Sequence, residues 1–115
     1  MSRQEPTLLD NPLFRLLREG RIAEFNERKE SGAACDFRGG DFRGSDLRGM
    51  NAEGINFEDA YFRGADLRGI DLRTANLRGA SMARAHISGC YFAHALSPDE
   101  ITMSVDRGTR LRYQD

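Results

Sequence analysis

The sequence has no tryptophan, one valine (Val105), one lysine (Lys29) and two cysteines. So few branched residues exclude an ordinary β-sandwich or a doubly wound sheet, whose pleated faces are filled by Val and Ile. No charge of one sign dominates: 17 basic residues face 18 acidic ones, for a net charge of −1. That balance excludes the long-range field of a strongly basic nucleic-acid binder and of a strongly acidic mimic. Long apolar runs are missing too. The longest stretch without a formal charge, residues 85–98, is 14 residues long and contains both histidines and a proline. It is too short and too polar to span a bilayer. The first twelve residues hold neither an apolar run nor a basic cluster, so no signal peptide is expected. Without an export signal, Cys35 and Cys90 are expected to stay reduced, in a cytoplasmic setting. Leu, Ile, Val and Phe total 24 of 115 residues, close to the composition at which disorder becomes the default. The length allows one small domain.

What is present is a repeat. From Cys35 the chain reads CDFRG, GDFRG, SDLRG, MNAEG, INFED, AYFRG, ADLRG, IDLRT, ANLRG, ASMAR, AHISG, CYFAH, twelve five-residue units without insertion over residues 35–94. The third positions are Phe37, Phe42, Leu47, Ala52, Phe57, Phe62, Leu67, Leu72, Leu77, Met82, Ile87 and Phe92; all but Ala52 are large and apolar. A helix repeats near 3.6 residues and a strand at 2. A period of five fits neither, so each unit must end in a turn that returns its third residue to one interior.

The stretch resembles the pentapeptide-repeat family, whose consensus is a small residue, Asp or Asn, Leu or Phe, then two variable residues. The resemblance implies a mainly β fold, a right-handed quadrilateral β-helix with four units per coil and hence about three coils. Third residues and the small first residues are then expected inside. The fifth position is Gly in eight units, as a type II turn requires. Asp59 tolerates positive φ there, whereas the corners at Thr74, Arg84 and His94 are expected to use another turn type. First positions are mostly small, and the large Met50 sits in the unit whose third residue is the undersized Ala52, which reads as volume compensation. Cys35 and Cys90, both at first positions two coils apart, read as small core residues beyond disulfide reach.

A solenoid exposes raw ends that invite aggregation, and the flanks read as caps. Residues 1–34 are expected to form an N-terminal helical cap. Asn11 and Pro12 open one helix to about residue 19, and a second runs over about 21–31, ended by Gly32. Residues 95–115 are expected to add a C-terminal helix from the capping box at Ser97 to Arg107, then a short alternating segment at 110–113. This end reads either as a lid on the last coil or as a dimerisation element, since some members of the family pair through their C-terminal ends.

No catalytic constellation, metal-ligand spacing or phosphate loop appears, so no enzyme activity and no cofactor are expected. His86 and His94 fall at outward positions of the last coil. The fourth-position arginines from Arg38 to Arg78 surround the solenoid and alternate with second-position aspartates; the repeat holds 8 acidic and 8 basic residues. A solvated ion-pair lattice is the expected outcome, and nucleic-acid binding through Arg ranks below it. In the last coil the fourth positions become Ala83, Ser88 and Ala93, with Tyr91 at an outward second position. With Ile101, Val105, Leu111 and Tyr113 of the C-terminal segment, these residues form the candidate protein interface. The function expected is a non-enzymatic interaction or scaffold module of a bacterial-type cytoplasm, with no membrane contact, a partner not named by the sequence, and a homodimer as one candidate. A DNA-mimicking modulator of type II topoisomerases, known in the family among longer, acidic members, is the alternative.

Overall fold

A computed structural model describes residues 11–114. Residues 1–10, which include most of the segment read for a leader and the start of the 1–34 cap, lie outside the described residues, as does Asp115. Three helices flank the repeat: α1 (Pro12–Arg18), α2 (Ile22–Glu30) and α3 (Pro98–Arg107). The Asn11 side chain accepts a hydrogen bond from the Leu13 N–H and starts α1, and Gly20 leaves it with φ of +76°. Ser97 caps α3 by accepting from the Glu100 N–H, and Gly108 ends it in the left-handed conformation. The expected capping box is only half formed, because Arg112 donates two hydrogen bonds to the Glu100 carboxylate (2.9 and 3.3 Å).

Between α2 and α3 the chain stacks on itself every twenty residues. Parallel bridges join Asp36 to Asn56 to Asn76, Asp41 to Tyr61 to Ser81, Asp46 to Asp66 to His86, and Asp71 to Tyr91. Residues 35–54, 55–74 and 75–94 therefore form three tiers with four columns of units. The backbone bonds run along the stack. Phe37 and Gly39 donate to the Asn56 and Glu58 carbonyls, both at 2.8 Å, and Tyr61 donates back to Gly40 at 2.9 Å. Every bridge is isolated because a turn follows at once: the Gly40 N–H returns to the Phe37 carbonyl at 3.0 Å, with Gly39 at φ of +67°. That is the type II geometry.

Two corners depart from expectation. Arg84 keeps the same left-handed turn, with φ of +56°. Its N–H is held by the Val105 carbonyl at 2.9 Å, so packing under α3 overrides the preference of the side chain. Between the first two tiers the Asn51–Asp71 bridge is missing. The Asn51 N–H goes to Asn26 of α2 and the Gly54 N–H to the Thr74 hydroxyl. The gap is a cavity of about 320 Å³ beside Met50, Ala52, Asp71 and Thr74.

The interior is lined as the period requires, up to the last tier. Phe37, Phe42, Leu47, Ala52, Phe57, Phe62, Leu67, Leu72, Leu77 and Met82 are buried, as is Met50 beside Ala52. The phenyl rings of the first two tiers form one continuous stack: Phe42 lies on Phe62 at 5.4 Å and 10°, and Phe57 meets Phe62 edge-on at 5.2 Å. Phe14 of α1 meets Phe42 at 5.1 Å and Phe25 of α2 meets Phe37 at 6.2 Å, extending that stack into the helical hairpin. Two expected core residues differ. Ile87 and Phe92 are only half-buried, because α3 and the tail lie over residues 75–84 and leave 85–94 uncovered. Cys35 and Cys90 are free and likewise half-buried, since each sits in a terminal tier with no neighbour beyond it.

The left-handed corners give a paired test. At Gly79, φ is +74° and an added Cβ would sit 1.9 Å from the Asp59 carboxylate. Gly79→Ala is expected to lower unfolding stability by about 1–2 kcal/mol, and Arg84→Gly to raise it by about 0.5–1 kcal/mol. Urea unfolding of both variants checks the opposite signs.

Candidate protein-interaction surface

The outer faces begin with the second residue of each unit. Where that residue is Asp or Asn, its side-chain oxygen accepts the backbone N–H two residues on: Asp41 from Arg43, Asp66 from Arg68, Asn56 from Glu58, Asn76 from Arg78. This is an Asx turn, and it explains why Asp and Asn alternate freely there. Where the second residue is Asp and the fourth Arg, the guanidinium binds the same carboxylate, by one bond at Arg38 and by a two-bond fork at Arg43, Arg48, Arg68 and Arg73. Arg43 reaches Asp41 at 2.8 and 2.9 Å, and Arg73 reaches Asp71 at 2.9 and 2.8 Å. The expected lattice is therefore largely a set of forks within units; Arg48 also reaches the next tier's aspartate, Asp66, at 3.3 Å. Sequence reasoning missed this local role, although the two-residue spacing of Asp and Arg is its signal. The Arg73 side chain holds Asp71 down to about 2, and the Arg68 side chain holds Asp66 well below the usual carboxylate range. Asp41 and Asp46 are lowered by Arg43 and Arg48 in the same way.

The last tier carries the surface of interest. The C-terminal segment closes its first half. Leu77 donates to the Tyr113 hydroxyl at 3.0 Å, Gly79 to the Leu111 carbonyl at 2.9 Å, Met82 to the Ser104 hydroxyl at 2.9 Å and Arg84 to the Val105 carbonyl. Leu111 is 1% exposed, and the 110–113 segment makes a single antiparallel bridge, from Arg110 to Ser81. Ala83, Ile101 and Leu111 are buried in this closure, with Val105 and Tyr113 partly so. These five candidate interface residues are thus engaged within the chain. Arg78 stacks on the Tyr113 ring at 4.7 Å, and burial raises the Tyr113 hydroxyl pKa.

The other three candidates lie on the uncovered half. Ser88 is exposed, Ala93 half-exposed, and Tyr91 is 59% exposed with Arg73 at 5.2 Å from its ring. His86 and His94 are exposed on adjacent faces. Among the described residues no group of three His, Cys, Asp or Glu side chains could hold a metal ion. Burial raises the thiol pKa of Cys35 and of Cys90. Among the described residues no helix is long and apolar enough to cross a membrane.

Residues 55–93 match the family model of pentapeptide repeats, in eight copies. The chain therefore carries pentapeptide repeats over that stretch, and the twenty-residue register of bridges continues the pattern back to Asp36. No curated protein and no solved structure matches the chain.

The forks set an acid limit. The folded-state values of Asp41, Asp46, Asp66 and Asp71 lie below the unfolded value of about 3.9. Their stabilisation is therefore complete above that value and lost as pH falls through the folded values. The melting temperature is expected to hold from pH 7 to 5 and to fall between about pH 4 and 2, read by circular dichroism.

Proposed function

We propose that this pentapeptide-repeat protein is a non-enzymatic protein-interaction module of a bacterial-type cytoplasm. In this reading residues 35–94 are a right-handed quadrilateral β-helix of three coils, closed by caps at 1–34 and 95–115. The twenty-residue parallel register and the four columns of units support that architecture. One observation carries the function. The stack is sealed at its first tier by α1 and α2 and over half of its last tier by α3 and the tail, while residues 85–94 stay open with Tyr91 projecting. An open apolar end on an otherwise sealed solenoid is the feature a partner would cover.

The Asp–Arg forks weigh against the topoisomerase alternative. A DNA mimic needs a face of unneutralised negative charge, and here Asp36, Asp41, Asp46, Asp66 and Asp71 each carry an arginine. The same forks occupy arginines that a phosphate backbone would need. Homodimerisation through the C-terminal end remains the competing arrangement within the interaction reading.

Affinity capture from host lysate with wild type and Tyr91→Arg tests the proposal. The expected result is a partner retained by wild type and lost by the variant, with unchanged melting of the variant. Equal capture by both proteins, or inhibition of gyrase supercoiling by micromolar protein, contradicts it.

A further inference from the structure

The open half of the last tier has a hydrogen-bond pattern that defines its occupant. In each tier the third- and fifth-position N–H groups, and the first-position carbonyls, point toward the next tier, as the bonds of Phe37, Gly39 and Gly40 show. Over residues 75–84 the chain's own C-terminus meets these groups. Leu111 is central: its carbonyl accepts from Gly79, its N–H donates to Ala80, both at 2.9 Å, and its side chain fills the interior. Ten residues on, the equivalent groups are the N–H of Ile87, Gly89, Phe92 and His94 and the carbonyls of Ala85 and Cys90. None has a hydrogen-bond partner among the described residues. The half-buried Ile87 and Phe92 side chains lie beside them.

This edge is rich in donors, and that decides between occupants. A second copy related by two-fold symmetry presents the same excess of donors, four N–H groups to two carbonyls, so two such edges leave donors unpaired. The complementary, acceptor-rich edge is on the first tier, where helices already use it: Arg18 donates to the Asp41 carbonyl at 2.8 Å and Asn26 to the Gly49 carbonyl at 3.0 Å. A second copy therefore has no matching edge to offer. An extended segment of another chain does, and the tail shows that the same rim accepts one. Residues 85–98 carry no formal charge, so a charged occupant gains no ion pair there.

We propose that residues 85–94 accept an extended, uncharged segment of a partner protein as an added strand. One large aliphatic residue of that segment packs over Ile87 and Phe92, repeating ten residues on the role of Leu111. The affinity comes from main-chain bonds and the specificity from that one side chain. The inference rests on the interaction-module reading and names the chemistry of its partner.

Amide exchange of the full chain, followed by NMR, tests it with the capped peptide acetyl-Thr-Thr-Leu-Thr-Tyr-Gln-amide. The peptide keeps the spacing of Leu111 and Tyr113 without the tail's arginines. In the free protein the Ile87, Gly89, Phe92 and His94 amides are expected to exchange at least about tenfold faster than those of Leu77, Gly79, Met82 and Arg84. Saturating peptide is expected to slow the first set. Methylating the amide nitrogen of the peptide's leucine, which leaves Cys90 without a donor, is expected to weaken binding about tenfold. Three results overturn the proposal: no protection, displacement of the tail read as changes at Leu77 and Gly79, or protection produced by concentration-dependent self-association. A peptide that fails while Tyr91→Arg still loses a captured partner removes strand addition and leaves the interaction reading standing.

Discussion

Everything in this molecule depends on backbone hydrogen bonds that run along the stacking axis. In a sheet such bonds join neighbours side by side and leave two edges. Here each tier is an edge for the next, so every tier both reads and supplies a template. The consequence is a polarity, with donors in excess at one end and acceptors in excess at the other. Helices α1 and α2 meet the acceptor end, and α3 with the tail meets half of the donor end. The remaining half follows from the length of the closing segment. Residues 97–114 provide one ten-residue helix and one short extended run, enough for two of the four columns.

The composition that borders on disorder is what this geometry asks for. Only the first and third residues of each unit face inward, so the other three positions can be Asp, Arg and Gly without loss of core. Those outer residues still have structural work. Asp or Asn closes the turn through its i+2 N–H, Gly or a forced residue such as Arg84 takes positive φ, and Arg neutralises the turn's carboxylate. The arginines are exposed and most of the pairs are screened, so these contribute solubility and local turn geometry more than stability, with the buried Asp41 and the shielded Asp66 as the exceptions. Core cohesion comes from the phenyl stack, which the helices join through Phe14 and Phe25.

Much of this was legible along the chain. The five-residue phase of Phe37, Phe42 and Leu47 identified the buried column residues, and Asn11, Pro12, Ser97 and Gly108 marked helix ends to within a residue or so. Those signals are local, because a cap or a turn is satisfied by residues a few positions away. The errors were all nonlocal. Arg84 took a glycine's conformation because Val105 holds its N–H, and Glu100 turned from its own helix end to Arg112. Ile87 and Phe92 lost their cover because α3 crosses the other two columns. Of the eight interface candidates, five were drawn into the chain's own closure and three remained outside, a division that depends on where one helix lands.

The sequence by itself determined the repeat, its phase, the inward residues and the helix boundaries, since each follows from periodicity or from contacts within one turn. Tertiary structure alone decided which half of the last tier stays open, the half proposed here to receive a partner. That choice depends on the path of residues 97–114 over a surface built twenty and more residues earlier, and no local pattern encodes such a path.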